Sequence, residues 1–597
     1  MTTRKRADVA LKRKEKKNYD QKVVKCFLSS LLVNQDKKIQ IIEAIKERVS
    51  AISKRQVIAS ISLNYLIKEL FHNVPLENIK DVTIPDILNI SFIRQLLLGT
   101  DNASKPFNEI KKFYTRHPNL LQKIKEQPNH IGVVNVYTAA ATKFSTNVWN
   151  HLWMNIKSRV YQFIDEYIND KDSKHAVLFH LMNWKMTDEK QNIINSLSPQ
   201  VLELITIQKD ILGLTQIDER WCKDKSNFNT LLRYSIFISQ TTSKKQFNII
   251  PMSKIKNHYI TIDSSSLWGI FKEVELFDKN LETFTAYKDD HWESIINVSK
   301  VQGKNCRFTN TIETDGLSIC VHFERRKEDK VKVQVTKNKI DTKNIDYWAC
   351  DPGRTNIIYM VNKKDDGTYK TLKLTRRQYY QESGISKANK KCQIWNDAEE
   401  IRDCDLSSYS SKGCNIQSFK MFVYNYLENW DVLWKEYGAD KWSKQRMRLY
   451  GGKKRVFANF FNKMNSFSDK KIVVGYGSAK FSPTAKNEVA VPTSRAYKEC
   501  TFRFKTVPVD EFRTSKIYHE DSLTILQTVE REDKKTVIRG LLWYSSTIES
   551  ESKFVNRDVN AAINILNCLV KPKRPAMLCR SEKNEKIVQT VGKIILC

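Results

Sequence analysis

At 597 residues the chain is too long for a single compact core, and two to four domains are expected. Its 100 Lys and Arg against 67 Asp and Glu leave a formal net charge of +33, which calls for a polyanionic partner, with nucleic acid ahead of a membrane surface. A hydrophobic content of 41% excludes a wholly disordered chain, and no long apolar run or lipidation signal points to a membrane.

The first 25 residues hold ten Lys or Arg and three Asp or Glu. Two basic clusters, Arg4-Lys5-Arg6 and Lys12 to Lys17, flank a short spacer. This is the pattern of a bipartite nuclear-import signal, so a nuclear location and the import machinery as a partner are expected. The same arm also suits contact with phosphates. It lacks the apolar core of a secretion signal. The twelve cysteines are scattered with no Cys-x-x-Cys pair, which fits thiols in a reducing compartment.

From residue 21 to about 244 the pattern predicts helices. "CFLSSLLVNQDKKIQIIEAI" and "ISFIRQLLLG" have apolar residues at helical spacing. A long amphipathic helix is expected over "NVYTAAATKFSTNVWNHLWMNIKSRVYQFIDEYI", with Trp149, Trp153 and Ile156 as core. Residues 245–345 are β-rich: "NHYITIDS", "TDGLSICVHFER" and "KVKVQVTK" alternate polar and apolar, with a turn at Thr314-Asp315-Gly316.

A three-stranded meander follows. "NIDYWAC" ends near Asp351, Pro352-Gly353 turns the chain, "NIIYMV" returns, and Asp365-Asp366-Gly367 leads into "YKTLKLT". Residues 375–470 are helical, basic and aromatic. Within them, "KWSKQRMRLYGGKKRVF" carries Arg446, Arg448, Tyr450, Lys453 and Lys454. These are candidates to clamp phosphates and stack a base, and they read equally as a solvated helix ending at Gly451-Gly452. "KIVVGYG" and "CTFRFKTVPVDE" are buried strands, and "NRDVNAAINILNCL" is a helix capped by Asn556 with Asp558 in its first turn.

Meander, helices, strand, strand, helix, with acids on the first strand and the last helix, is the plan of an RNase H-like domain. Such a domain gathers carboxylates around two hard divalent cations. Asp351 is therefore a candidate metal ligand at a strand end, where the Pro-Gly turn clears space.

"DPGRTNIIYMV" and "NRDVNAAINIL" resemble the first and third RuvC-type motifs of TnpB and its eukaryotic relatives, the Fanzor proteins. "LTRRQYYQESG" with "KKCQIW", "YGSAKFSPTAKNEVAVPT", "VDEFRTSK" and "FTNTIETDGLSICVHFER" are similar to further segments of that family, in the same order. The resemblance covers about residues 245 to 570. It implies an RNA-guided, transposon-associated DNA endonuclease. A non-coding guide RNA of the omega type pairs with target DNA beside a short adjacent motif, and one RuvC-like, Mg2+-dependent site (Mn2+ as a substitute) cuts both strands. The implied organisation is a multi-domain α/β protein. A basic tail spans 1–20. A helical recognition region, with room for a first wedge segment, spans 21–244. A small β-barrel-like wedge domain spans 245–345. A RuvC-like nuclease domain spans 346–597, with a helical insertion at 375–470 and a remodelled insertion at 515–555.

Two departures stand out. TnpB proteins carry two Cys-x-x-Cys pairs where this chain has "KIYHED" and "LLWYSS", and His519 alone cannot complete a tetrahedral site, so no structural zinc is expected. The strand expected to end in glutamate ends in Gly475-Tyr476-Gly477. Glu488, Asp510 and Glu511 are the candidate replacements. Alternation places Glu511 with Val507 and Val509, and Asp510 with Pro508, without saying which face holds the metals. The resemblance of "DEFRTSK" selects Glu511, giving Asp351, Glu511 and Asp558 as the expected catalytic and metal-binding set. Two other readings remain: a transposon-derived nucleic-acid-binding protein that no longer cuts, and an RNase H-fold nuclease or recombinase working without a guide.

Overall fold

The computed structural model describes residues 19–33, 37–99, 107–244, 246–327, 344–479, 481, 489–531, 536–546, 548–580 and 593–596. The basic clusters of the first 17 residues, the "KVKVQVTK" stretch and Glu488 lie outside the described residues. The chain is a mixed α/β protein that divides into two compact units, Met1–Asp329 with Ile394–Met447 and Lys330–Gln393 with Arg448–Cys597. The middle of the expected 375–470 insertion, residues 394–447, thus clusters with the first unit. Among the described residues no helix is long and apolar enough to cross a membrane.

In the first unit the organising element is the 33-residue helix Lys38–Leu70, about 50 Å long. Every residue from Val57 to Leu63 is fully buried. The sequence there, "VIASISL", is apolar or small on all sides, so the helix is surrounded rather than laid on a surface. Helix Val134–Tyr167 buries Trp149 and Ile156 and leaves Trp153 half-buried.

The sheet of this unit is built from β1 (Tyr19–Phe27), β2 (Ile260–Ile262), β3 (Cys306–Thr314) and β4 (Ser318–Arg326), in the order β1-β4-β3-β2. Two expectations change here. The stretch from Cys26 is helical only in part: Cys26 and Phe27 end β1, Leu28–Ser30 form a short 3-10 helix, and the first α-helix begins at Lys38. Strand β1 pairs along its whole length with β4, from Tyr19 opposite Arg326 to Phe27 opposite Ser318. Pairing across some 300 positions overrides a short apolar run that fits either period. The second change concerns the β-rich segment, which also contains helices Ser264–Glu273, Leu281–Ala286 and Lys288–Ile295. Asp263 starts the first of them by accepting the Ser266 N–H at 3.0 Å.

The second unit holds a five-stranded sheet of β5 (Ile345–Asp351), β6 (Asn356–Lys363), β7 (Tyr369–Thr375), β8 (Lys471–Gly477) and β9 (Lys505–Val509), ordered β7-β6-β5-β8-β9. Strands β7, β6 and β5 are antiparallel neighbours, while β8 pairs parallel with both β5 and β9. One face packs Trp348, Cys350, Met360, Val474 and Tyr476 against Phe457, Phe461 and Met464 of helix Asp440–Asn465 and against Ala496 and Cys500. The opposite face packs Ala349, Val509, Tyr359 and Val361 against Ile565, Leu566, Ala562 and Ile563 of the last helix, Arg557–Val570. A smaller sheet, β10 (Gln527–Arg531), β11 (Thr536–Tyr544), β12 (Lys553–Asn556) and β13 (Lys593–Leu596), has the order β12-β11-β10-β13. Three of its strands fall largely within the expected 515–555 insertion and β13 lies beyond it, and its core is Tyr518, Leu526, Leu542 and Val555.

Helix Asp440–Asn465 runs unbroken through Gly451 and Gly452, which corrects the alternative of a helix ending there. A Cβ on Gly452 would lie 2.3 Å from the Ser383 carbonyl oxygen, whereas one on Gly451 meets nothing within 4 Å. Only Gly452 is needed, for close backbone approach. Gly451→Ala should stabilise the second unit by up to about 1 kcal/mol through helix propensity, and Gly452→Ala should destabilise it. Thermal melting of the two variants checks this, and equal effects would contradict the packing.

Candidate active site

Asp351 ends β5, the central strand of the five. Successive side chains of a strand alternate, so Asp351 shares the face of Ala349, which is covered by the last helix. Asp351 is 8% exposed. Burial pushes its pKa well above the usual carboxylate range, the neighbouring charges of Asp558 and Glu511 push it further, and Arg557 opposes them weakly.

Asp558 lies in the first turn of the last helix. The Asn556 side chain caps that helix, accepting the N–H groups of Asp558 and Val559 at 3.1 Å each. Asp558 Oδ2 accepts a hydrogen bond from Asn356 Nδ2 at 2.7 Å. Asn356 opens β6 just beyond the Pro-Gly turn, so the turn after Asp351 delivers the group that orients the second acid.

The third acid follows β9. The expected strand over residues 500–511 is shorter: Thr493–Arg503 is a helix that includes Cys500, and β9 covers only Lys505–Val509. Helix and strand compete for this mixed apolar stretch, and packing of Ala496 and Cys500 against the sheet favours the helix. Val509, the last residue of β9, sits with Ala349 and Ile565; Glu511, beyond the strand, lies against the Cβ position of Gly477, and its charge acts on Asp351. Burial raises the Glu511 pKa, partly opposed by the hydrogen bond that its Oε1 accepts from the Ala479 N–H at 2.9 Å. Asp510 turns elsewhere. Its two carboxylate oxygens take Arg580 Nε at 2.8 Å and Nη2 at 3.1 Å, and this pairing holds its pKa below the usual range.

The empty strand end has a physical role. A Cβ on Gly477 would stand 2.7 Å from Glu511 Cδ and closer still to Oε1. The Glu511 carboxylate therefore fills the space into which a side chain at the end of β8 would project. Neither Gly477 nor Asn356 was singled out from the sequence. The visible signal for the former was a strand ending in glycine where an acid was expected.

Three carboxylates with no sulfur or imidazole among them form the donor set of a hard dication. A desolvated Asp351 pressed by like charge is also a group that a cation would relieve. As they stand, however, no three His, Cys, Asp or Glu side chains among the described residues are gathered closely enough to enclose an ion.

The basic candidates divide. Arg446 Nη2 is engaged within the first unit by Ser443 Oγ at 2.6 Å, the Asn257 carbonyl at 3.4 Å and the buried carboxylate of Asp315 at 3.5 Å. Arg448, Lys453 and Lys454 are exposed, and Lys454 Nζ lies 5.5 Å from the ring centre of half-buried Tyr450. His519 is hydrogen-bonded to Asn560. No family model and no curated protein sequence matches the chain.

Since folding raises the Asp351 pKa, the ionised carboxylate opposes folding. That cost is absent below the unfolded value near 4 and grows as pH rises through the native value. Asp351→Asn should therefore raise the melting temperature at neutral pH in chelator, by roughly 2 °C or more, and the gain should vanish in acid. Gly477→Ala should lower the melting temperature of the wild-type chain, and by less in a Glu511→Ala background, where Pro352 Cδ, 2.7 Å from the added Cβ, remains in its path. Equal losses in the two backgrounds would assign the whole clash to Pro352.

Proposed function

We propose that the chain is an RNA-guided DNA endonuclease of the Fanzor type, acting in the nucleus, with a RuvC-like, RNase H-fold catalytic domain in its second unit. The observation that carries this reading is the placement of Asp351, Asp558 and Glu511, from three separate elements, at one end of the five-stranded sheet. The strand order β7-β6-β5-β8-β9, antiparallel on one side and parallel on the other, supports it, because an RNase H-like sheet places its first acid on the central strand. The net charge of +33 supports a nucleic-acid partner held through its backbone.

In this reading Asp351, Glu511 and Asp558 hold the Mg2+ ions, or Mn2+ in their place, which when bound supply an activated water and charge stabilisation for the leaving oxygen of a phosphodiester. Asn356 fixes the orientation of the Asp558 carboxylate, and the Ala479 N–H fixes that of Glu511. Arg448, Lys453 and Lys454 are exposed cations for phosphate contact, with Lys454 Nζ 5.5 Å from the centre of the Tyr450 ring. Arg446 keeps the structural role that its bonds to Asp315 and Ser443 assign. No structural zinc is part of the proposal.

Purification from cells and sequencing of bound RNA should recover one abundant non-coding RNA. With that RNA and a matched duplex, Asp351→Ala, Asp558→Ala and Glu511→Gln should each lose DNA cleavage at least about a hundredfold and keep RNA binding. Asp510→Asn should retain most activity. Absence of a bound RNA would favour a guide-free nuclease, and a complex that binds target without cutting would favour a nucleic-acid-binding protein that has lost catalysis.

A further inference from the structure

The last helix carries two buried amides that the acid set does not use. Asn560 and Asn564 lie one turn apart, and both are fully buried. Each donates its Nδ2 to the same two carbonyls: Asn560 to Thr514 at 3.2 Å and Ile517 at 2.8 Å, Asn564 to Thr514 at 2.8 Å and Ile517 at 2.7 Å. Asn560 Oδ1 accepts the His519 backbone N–H at 3.0 Å and lies 3.0 Å from its ring Nδ1.

The segment they hold leads directly to the third acid. Thr514 folds back onto Glu511, and both its N–H and its Oγ1 donate to the Glu511 carbonyl, at 3.2 and 3.0 Å. Arg513, between them, has φ +58°, in the left-handed region that costs a non-glycine residue about 1 kcal/mol or more. Such a turn persists only where its surroundings overdetermine it. Burying an amide is itself costly unless its bonds are made. An apolar pair would leave the Thr514 and Ile517 carbonyls without these donors, and Asn564 is kept although its Oδ1 is buried with no hydrogen-bond partner among the described residues.

We infer that Asn560 and Asn564 are positioning residues: they tie the Glu511 loop to the helix that carries Asp558, so that divalent-cation binding by the acids depends on them. The inference rests on the metal-dependent reading of this site. Asp558 and the two asparagines occupy one rigid helix, and Glu511 reaches that helix through Thr514.

The test is calorimetric titration of the full-length chain, stripped of nucleic acid, with MnCl2, taking the Asp351→Asn chain as the blank. Asn560→Ala/Asn564→Ala should lose about tenfold or more of the Asp351-dependent affinity at a temperature where circular dichroism shows it folded. Should the double variant fail to fold, Asn564→Ala alone, which keeps the Asn560 bonds, should show the same direction. Leu542→Ala, a cavity in the core of the neighbouring small sheet, should lower the melting temperature without that loss. Unchanged affinity in a folded asparagine variant, or an equal loss in Leu542→Ala, overturns the positioning role alone. No Asp351-dependent binding in the wild-type chain overturns the active-site reading, and this inference with it.

Discussion

The second unit turns on one unfavourable interaction: a desolvated carboxylate, Asp351, held beside two further acids. Nothing local favours it. The cost is met by what surrounds it, namely the central position of β5, paired on both sides, and the apolar seam between Ala349, Val509, Ile565 and Leu566. This seam presses the last helix onto the sheet and carries Asp558 to the strand end. Such an arrangement is sustained by tertiary packing alone.

Each acid in the cluster has a different anchor. Asp351 is set by strand pairing, Asp558 by a capped helix start and Asn356, and Glu511 by a turn outside regular structure. The glycine that ends β8 leaves the room that the Glu511 carboxylate occupies.

The first unit uses part of its positive charge internally. Arg48 is fully buried on the central helix and paired with Glu273 at 2.5 Å, and Arg55 is spent on Tyr137, Asn129 and the Gln127 carbonyl. Arg446 belongs to the same class, since it steadies the Asp315 turn between β3 and β4. The net charge therefore overstates the surface open to a polyanion. The exposed cations Arg448, Lys453 and Lys454 differ from Arg446 only in facing away from the fold, a distinction invisible in a run of basic letters.

Where the chain makes local signals, the sequence alone determined the outcome. The meander around Asp351, the turns at Gly316 and Gly367, and the Asn556-capped helix with Asp558 follow from period, turn chemistry and capping. These depend on neighbours a few residues apart. Only the tertiary structure decided the rest. It assigned Tyr19–Phe27 to a sheet with Ser318–Arg326, carried the 440–465 helix through two glycines, and divided residues 375–470 between two units. It also placed Glu511 where its charge acts on Asp351 and sent Asp510 to Arg580. Alternation says that adjacent side chains oppose one another, but which face meets a helix is settled by packing between segments far apart in the chain, and no local pattern encodes it.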